Sequence, residues 1–140
     1  MTSPLIATLK ARYPGAETFT FGDSRELSGH LISLIRAGKK RATCGALRDF
    51  AEGGEAMPAP GRRDIALGWD GNPALVIETS EVTIRRFRDV DAGFALAEGE
   101  DDTLEGWQEG HRAYFERNGG WSPDLELVCE RFRLIEDLTR

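Results

Sequence analysis

Lys40 and Thr43 stand three residues apart in the segment RAGKKRATCG, a spacing that could activate a nucleophile. A lysine partly removed from water loses its proton more easily, and a neutral amine can take the proton of a threonine hydroxyl. The alternative is electrostatic. Lys39, Lys40 and Arg41 follow a predicted helix end, where cations offset the helix dipole and stay in water. The residues by themselves leave both interpretations open.

A dense acidic segment, LAEGEDDTLEGW, carries Glu98 and Glu100 on either side of Gly99. Paired carboxylates suit general acid and base work, and a turn between them would separate their roles. Acids also belong at helix N-termini, where Asp102 or Thr103 could cap the next helix. The ligand spacing of a calcium loop is not met, so the sequence predicts no metal site here.

An aromatic stripe follows in WQEGHRAYF, where Trp107, His111 and Tyr114 recur at helical spacing. Such a stripe is typical of a buried helix face, and His111 would then be a structural histidine. The same groups beside a polar pocket could instead stack on a nucleobase.

The elements that must position these residues are helices around a curved, mainly antiparallel sheet. A first helix capped by Ser3 is expected in SPLIATLKARY, and a second capped by Asp23 and ended by Gly38. The turn signal DGNP joins two strand runs, the second with a bend near Thr79–Ser80. A short helix ending at Gly99, a longer helix and a closing strand, LELVCERFRLIED, follow. This order favours an α+β fold, as a curved sheet or small barrel.

Length and charge narrow the class of protein. The chain has 140 residues, the common size of one domain, so we expect a single domain over residues 1–140. The net charge of −6 argues against capture of bulk DNA, but not against a nucleic-acid ligand in a local basic pocket. Cys44 and Cys129 form no CxxC pair and are expected to be free thiols. The N-terminal segment lacks the pattern of a secretory signal, and no apolar run is long enough for a membrane helix, which favours the cytoplasm.

Together these segments resemble the ASCH (ASC-1 homology) domain family from about residue 21 to 135. The family motif G-x-K-x-x-T is matched by Gly38, Lys40 and Thr43, and its acidic motif, close to A-x-E-G-E-G-D, by LAEGEDD. The resemblance implies a PUA-like small mixed or antiparallel β-barrel with several helices packed around it. The resemblance thereby favours a barrel, whereas the periodicity of the sequence left a curved sheet or a small barrel open.

The resemblance also implies RNA or a modified nucleoside as the partner. Some short bacterial members are amidohydrolases that deacylate N4-acetylcytidine with a lysine, a threonine and a glutamate. By motif position these are Lys40, Thr43 and Glu100, and no cofactor is implied. Ribonuclease activity on single-stranded RNA, with a divalent metal as a possible requirement, is the second expectation, and a non-catalytic RNA-binding module is the third. The expected ligand-binding residues are Lys39, Arg41, Glu98, Trp107, His111 and Tyr114.

Overall fold

Five strands form one mixed sheet in the structure, a computed structural model that describes residues 4–51 and 54–138. The strands are β1 (Thr18–Thr20), β2 (Ala42–Ala46), β3 (Arg63–Leu67), β4 (Pro73–Arg86) and β5 (Glu126–Asp137). Their order across the sheet is β1-β3-β4-β5-β2. Only β1 and β3 run parallel among the described pairs; the other neighbours are antiparallel.

The predicted α+β class is confirmed, but the expected barrel is not closed. In the part of the chain that the structure describes, β1 and β2 are the two edges of the sheet and do not pair with each other. Both edges nevertheless line the same cavity, so the sheet curls without sealing. The three-residue β1 offers few backbone groups for closure, and the space between the edges is left as a cavity.

The hairpin between β3 and β4 forms at the predicted turn, where Gly71 adopts φ +85°. Glycine is favoured in hairpin turns that require a positive φ. The long β4 shifts register between Thr79 and Glu81, as the bend predicted near Thr79–Ser80 requires. This bulge re-aims the side chains that follow it.

Within the described ranges, four α-helices accompany the sheet: α1 (Pro4–Arg12), α2 (Arg25–Arg36), α3 (Ala92–Ala97) and α4 (Leu104–Arg117). The expected Ser3 cap of α1 lies outside the described residues. The cap of α2 is Ser24, whose hydroxyl accepts from the Leu27 amide, so the prediction of Asp23 was wrong. The Asp23 carboxylate is instead occupied by long-range bonds from the side chains of Arg117 and Asn118.

The two faces of the sheet carry separate apolar cores. On one face α3 and α4 pack Phe94, Trp107 and Phe115 against β2 and β5. On the other face α2 packs Leu31 and Ile35 against β4 and β5. Burial of apolar area on both faces is the main stabilising term, and it fixes the ends of α2 and α3 against the edge strand β2. None of the described helices is long and apolar enough to cross a membrane.

Candidate active site

Lys40 is placed by the end of α2 and the start of β2. Gly38 takes φ +77°, as predicted for a left-handed stop, and the Lys40 amide still bonds to the Leu34 carbonyl. The chain then turns inward, and the Lys40 side chain is only 1% exposed. Lys39 and Arg41 on either side stay exposed. The interpretation that these cations stay in water and offset the helix dipole therefore fails for Lys40. The exposure of Lys39 and Arg41 agrees with it.

The two glutamates reach Lys40 from opposite sides of a glycine turn. Gly99 follows α3 with φ +75°, and a Cβ at this position would collide with the backbone of Lys39. Only glycine permits that close approach. As predicted for a turn, the two acids differ in their surroundings: Glu98 is buried, whereas the Glu100 side chain is 19% exposed.

The Lys40 ammonium is saturated with acceptors. Its Nζ donates to the Ala42 carbonyl at 2.8 Å, to Glu100 Oε2 at 2.9 Å and to Glu98 Oε1 at 3.1 Å. An ammonium has three protons, and these three contacts account for all of them. No hydrogen bond joins Lys40 to Thr43 among the described residues.

The predicted fall in the pKa of Lys40 is not found. Burial by itself lowers the pKa of this ammonium, but the carboxylates of Glu98 and Glu100 outweigh burial and leave the pKa raised. Lys40 is therefore a fixed cation in this structure and not a ready base.

Glu98 is the centre of a second set of contacts. Its Oε2 accepts from Trp107 Nε1 at 2.9 Å and lies 3.4 Å from His111 Nε2. Burial alone raises the pKa of Glu98, but Lys40 first and then His111 lower it, and the pKa is held far below its usual value. Glu98 is thus a buried, fully ionised carboxylate with partners on both oxygens.

His111 shares these contacts through both of its ring nitrogens. Its Nδ1 lies 2.9 Å from the Trp107 carbonyl, a geometry that requires Nδ1 to donate, and its Nε2 faces the carboxylate of Glu98. A neutral ring with a proton on Nδ1 would point a lone pair at that carboxylate. Burial lowers the pKa of His111, but Glu98 and then Glu100 raise it more, and the pKa lies above its usual value.

The aromatic stripe divides between core and cavity. Trp107 is fully buried, with its ring stacked on His111 at 4.3 Å between centroids and packed at a tilt against Phe87 at 5.2 Å. It therefore has no free face for a nucleobase, contrary to that alternative. Tyr114 is half-buried and lines the cavities described next, so it is the aromatic residue of the stripe that a ligand can reach.

Two adjoining cavities meet at the edge strand β2. The smaller, about 260 Å³, is lined by Lys40, Glu98, Glu100 and His111. The larger, about 730 Å³, lies between the two edge strands β1 and β2 and is also lined by Asp49, Gly54 and Glu55. Thr43 lines both cavities, so the predicted set of Lys40, Thr43 and Glu100 does border one space. The larger cavity was not predicted, because its walls come from distant parts of the chain.

Comparison with known proteins agrees with this architecture. The model of the ASCH domain family matches residues 17–136. The chain belongs to the ASCH domain family. This family is associated with RNA binding. Among curated proteins, none is similar enough in sequence to count as a match.

Solved structures, among them other ASCH domains, share the fold of this ASCH domain. It is 30% identical to an ASCH domain from Lactobacillus crispatus JV V101, with a TM-score of 0.79 over 95% of this chain and 86% of that one. It is also 30% identical to a protein from Enterococcus faecalis V583, with a TM-score of 0.83 over 96% and 87%. A mutant ASCH protein from Zymomonas mobilis shares the fold alone, at 11% identity and a TM-score of 0.51 over 89% and 73%.

Cys44 is a neighbour of the site that sequence reasoning overlooked. Its sulfur and the nearest ligand atoms of Glu98 and His111 lie within 4.8 Å of one another, a set that could hold a cation. However, burial first and Glu98 second raise the pKa of the Cys44 thiol well above its usual value, which keeps the thiol protonated. Lys40 already supplies the positive charge beside Glu98. The only available signal was its position directly after Thr43.

Proposed function

We propose that this ASCH domain hydrolyses the amide bond of an acylated nucleobase, with N4-acetylcytidine as the first substrate to test. The observation that carries the proposal is the ion cluster of buried Lys40 and Glu98 with the partly exposed Glu100, which borders a cavity that Thr43 also lines. Burying a lysine with a glutamate costs more than an apolar packing of the same volume. Such clusters in a cleft are typical of functional sites.

The geometry favours a revised assignment of roles to Lys40, Thr43 and Glu100. Because Lys40 is charged and saturated, it cannot take the hydroxyl proton in this state. Glu100 is the acid of the pair with exposed surface, and Lys40 holds it through Oε2. In the proposed reaction, Thr43 Oγ1 attacks the acyl carbon and its proton passes to Glu100.

The remaining steps return that proton. When the C–N bond breaks, Glu100 gives the proton to the leaving amine. Water then attacks the acyl-threonine ester with Glu100 as base, the bond from the acyl carbon to Thr43 Oγ1 breaks, and Glu100 returns the proton to Oγ1 as the carboxylic acid leaves. Lys40 is a positioning residue that holds Glu100 in place through Oε2. Proton transfers of this kind each contribute roughly 10²–10⁴-fold to the rate.

The test is release of acetate and cytidine from N4-acetylcytidine. Lys40→Ala and Thr43→Val should each abolish the activity, whereas Thr83→Val, a matched change on β4, should leave it within about twofold. Activity that survives Lys40→Ala or Thr43→Val undiminished contradicts the mechanism. We propose that no metal is required, so EDTA should leave the rate unchanged, and loss of activity with EDTA would overturn that part.

A second candidate is binding of single-stranded RNA, with or without cleavage. It is favoured by the family association and by the exposed cations Lys39 and Arg41, which flank Lys40 in the chain. Phosphate contacts make binding sensitive to salt, and the double variant Lys39→Ala, Arg41→Ala should weaken it. Unchanged affinity in that variant refutes this candidate. An RNA product that forms only without EDTA would identify a metal-dependent ribonuclease.

A further inference from the structure

The floor of the larger cavity holds a carboxyl group that the proposed reaction does not use. Glu130 on β5 is paired in register with Thr43 on the edge strand β2. Residues directly opposite in an antiparallel pair project to the same face, with Cβ atoms about 4.5–5.5 Å apart. Both residues line the larger cavity, so a ligand that reaches Thr43 from that side also passes Glu130.

One oxygen of Glu130 is fixed and the other is free. The Thr79 hydroxyl donates to Oε2 at 2.6 Å, across from the bulge in β4. No described residue donates to Oε1. Burial, with a smaller contribution from Asp64, raises the pKa of Glu130, as expected for a carboxyl group that lacks enough donors.

The neighbouring charges do not satisfy that oxygen. Arg62 Nε donates to Asp64 Oδ1 at 3.0 Å, and Asp64 also accepts from the Glu17 amide at 2.9 Å. Arg62 and Asp64, which both line the cavity, are therefore hydrogen-bonded to each other and to backbone groups. Glu130 Oε1 is left as an acceptor on the sheet floor that is available to a ligand. A partly desolvated acceptor without a donor is costly, and a donor on the ligand would offset that cost.

We propose that Glu130 is a substrate-binding residue, whose free Oε1 accepts a hydrogen bond from an N–H or O–H donor on the amine side of the scissile amide. This rests on the proposed hydrolase function. Thr43 stands at the junction of the two cavities, so the two sides of the bond it attacks extend into different ones. The nucleoside is the larger side of N4-acetylcytidine and takes the larger cavity, where Glu130 lies. The acyl group takes the smaller cavity beside Glu100.

The test is steady-state hydrolysis of N4-acetylcytidine by Glu130→Ala, with the exposed Glu126→Ala on the same strand as the control. A hydrogen bond to a charged group predicts that Glu130→Ala raises KM roughly 10- to 100-fold, with kcat within about threefold. Glu130→Gln keeps an acceptor oxygen and the bond from Thr79, so its KM should rise less than about tenfold. A KM unchanged in Glu130→Ala, or a fall in kcat alone, overturns the proposal.

Two further measurements separate this proposal from a structural role and from the proposed function. Thr79→Val removes the fixed contact but leaves Glu130, so a purely structural Glu130 would give the same KM in both variants, and that equality counts against binding. Calorimetry with the product cytidine should show weaker binding by Glu130→Ala. If the wild type binds cytidine through Glu130 but releases no acetate, the hydrolase proposal fails, and Glu130 is a nucleoside-binding residue without a role in hydrolysis. If the wild type releases acetate and Glu130→Ala keeps the wild-type KM, the hydrolase proposal stands and the binding role of Glu130 fails.

Discussion

Replacing Lys40 by methionine should destabilise this ASCH domain more than any other single loss of charge. Methionine keeps most of the apolar volume of the side chain but removes the ammonium. Glu98, which is 1% exposed, would then be left buried beside Glu100 without its main counter-charge. Breaking a buried pair on one side typically costs about 3–5 kcal/mol. For a chain of this size that corresponds to a fall of roughly 10–20 °C in the melting temperature.

The assay is urea unfolding at pH 7, with Lys39→Met as the matched control. Lys39 is exposed and adjacent, so its variant should stay within about 0.5 kcal/mol of the wild type. In the double variant Lys40→Met, Glu98→Gln the uncompensated charge is gone, while the amide oxygen can still accept from Trp107. The coupling between the two changes should be about 0.5–3 kcal/mol and favourable.

Two results would refute this reasoning. One is a cost below about 1 kcal/mol for Lys40→Met, which would mean that water or a shifted side chain replaces the ammonium. The other is strict additivity in the double variant, which would mean that Lys40 and Glu98 do not interact. Activity should be lost in every variant without Lys40, whatever its stability.

Three other predictions concern the rest of the site. Glu100→Gln should lower kcat for N4-acetylcytidine by roughly 10²–10⁴-fold, with Glu105→Gln as the unaffected control in the same assay. Because the pKa of His111 is raised, its ion pair stabilises the fold below the unfolded pKa of about 6.5 and is lost as pH rises through the folded value. His111→Gln should therefore flatten the decline of the unfolding free energy above that pH, whereas His30→Gln should not; an unchanged slope contradicts it. Trp107→Phe removes the donor to Glu98 and should cost about 1–3 kcal/mol in urea unfolding, and a cost near zero would show that the bond is dispensable.

Acidic walls in the larger cavity bear on the choice between nucleoside and polymer. Asp49, Glu55 and Asp64 line it, and burial first and Asp49 second raise the pKa of Glu55. A phosphate would meet these carboxylates at close range. The cavity therefore suits an uncharged ligand better than a polynucleotide backbone, which leaves the exterior beside Lys39 and Arg41 for any phosphate contact.

Local features of the fold could be predicted because they depend on neighbours in the chain. The stop at Gly38 and the hairpin turn at Gly71 follow from the backbone freedom of glycine, and the bulge after Thr79 follows from a strand run too long to stay flat. The motif positions of Lys40 and Glu100 were also readable from the sequence, and the structure brings them to 2.9 Å.

Features that depend on distant contacts could not be predicted in the same way. Asp23 has the right type and place for a cap, but bonds from the side chains of Arg117 and Asn118 occupy it, and Ser24 caps α2 instead. Trp107 fits a helix stripe in either a core or a cavity wall, and only packing against Phe87 and His111 decides for the core. The open sheet likewise depends on how β1 and β2, the two edges, come to face each other.

The sequence by itself determined which residue types and spacings reach the site: a lysine after a glycine stop, a threonine three residues later, and two glutamates across a glycine. Tertiary structure alone decided the charge of Lys40. Its pKa depends on the balance between burial and two carboxylates that lie 58 and 60 residues away in the chain. Both terms act through space and fall off within a few ångströms, so no pattern along the chain carries their sum.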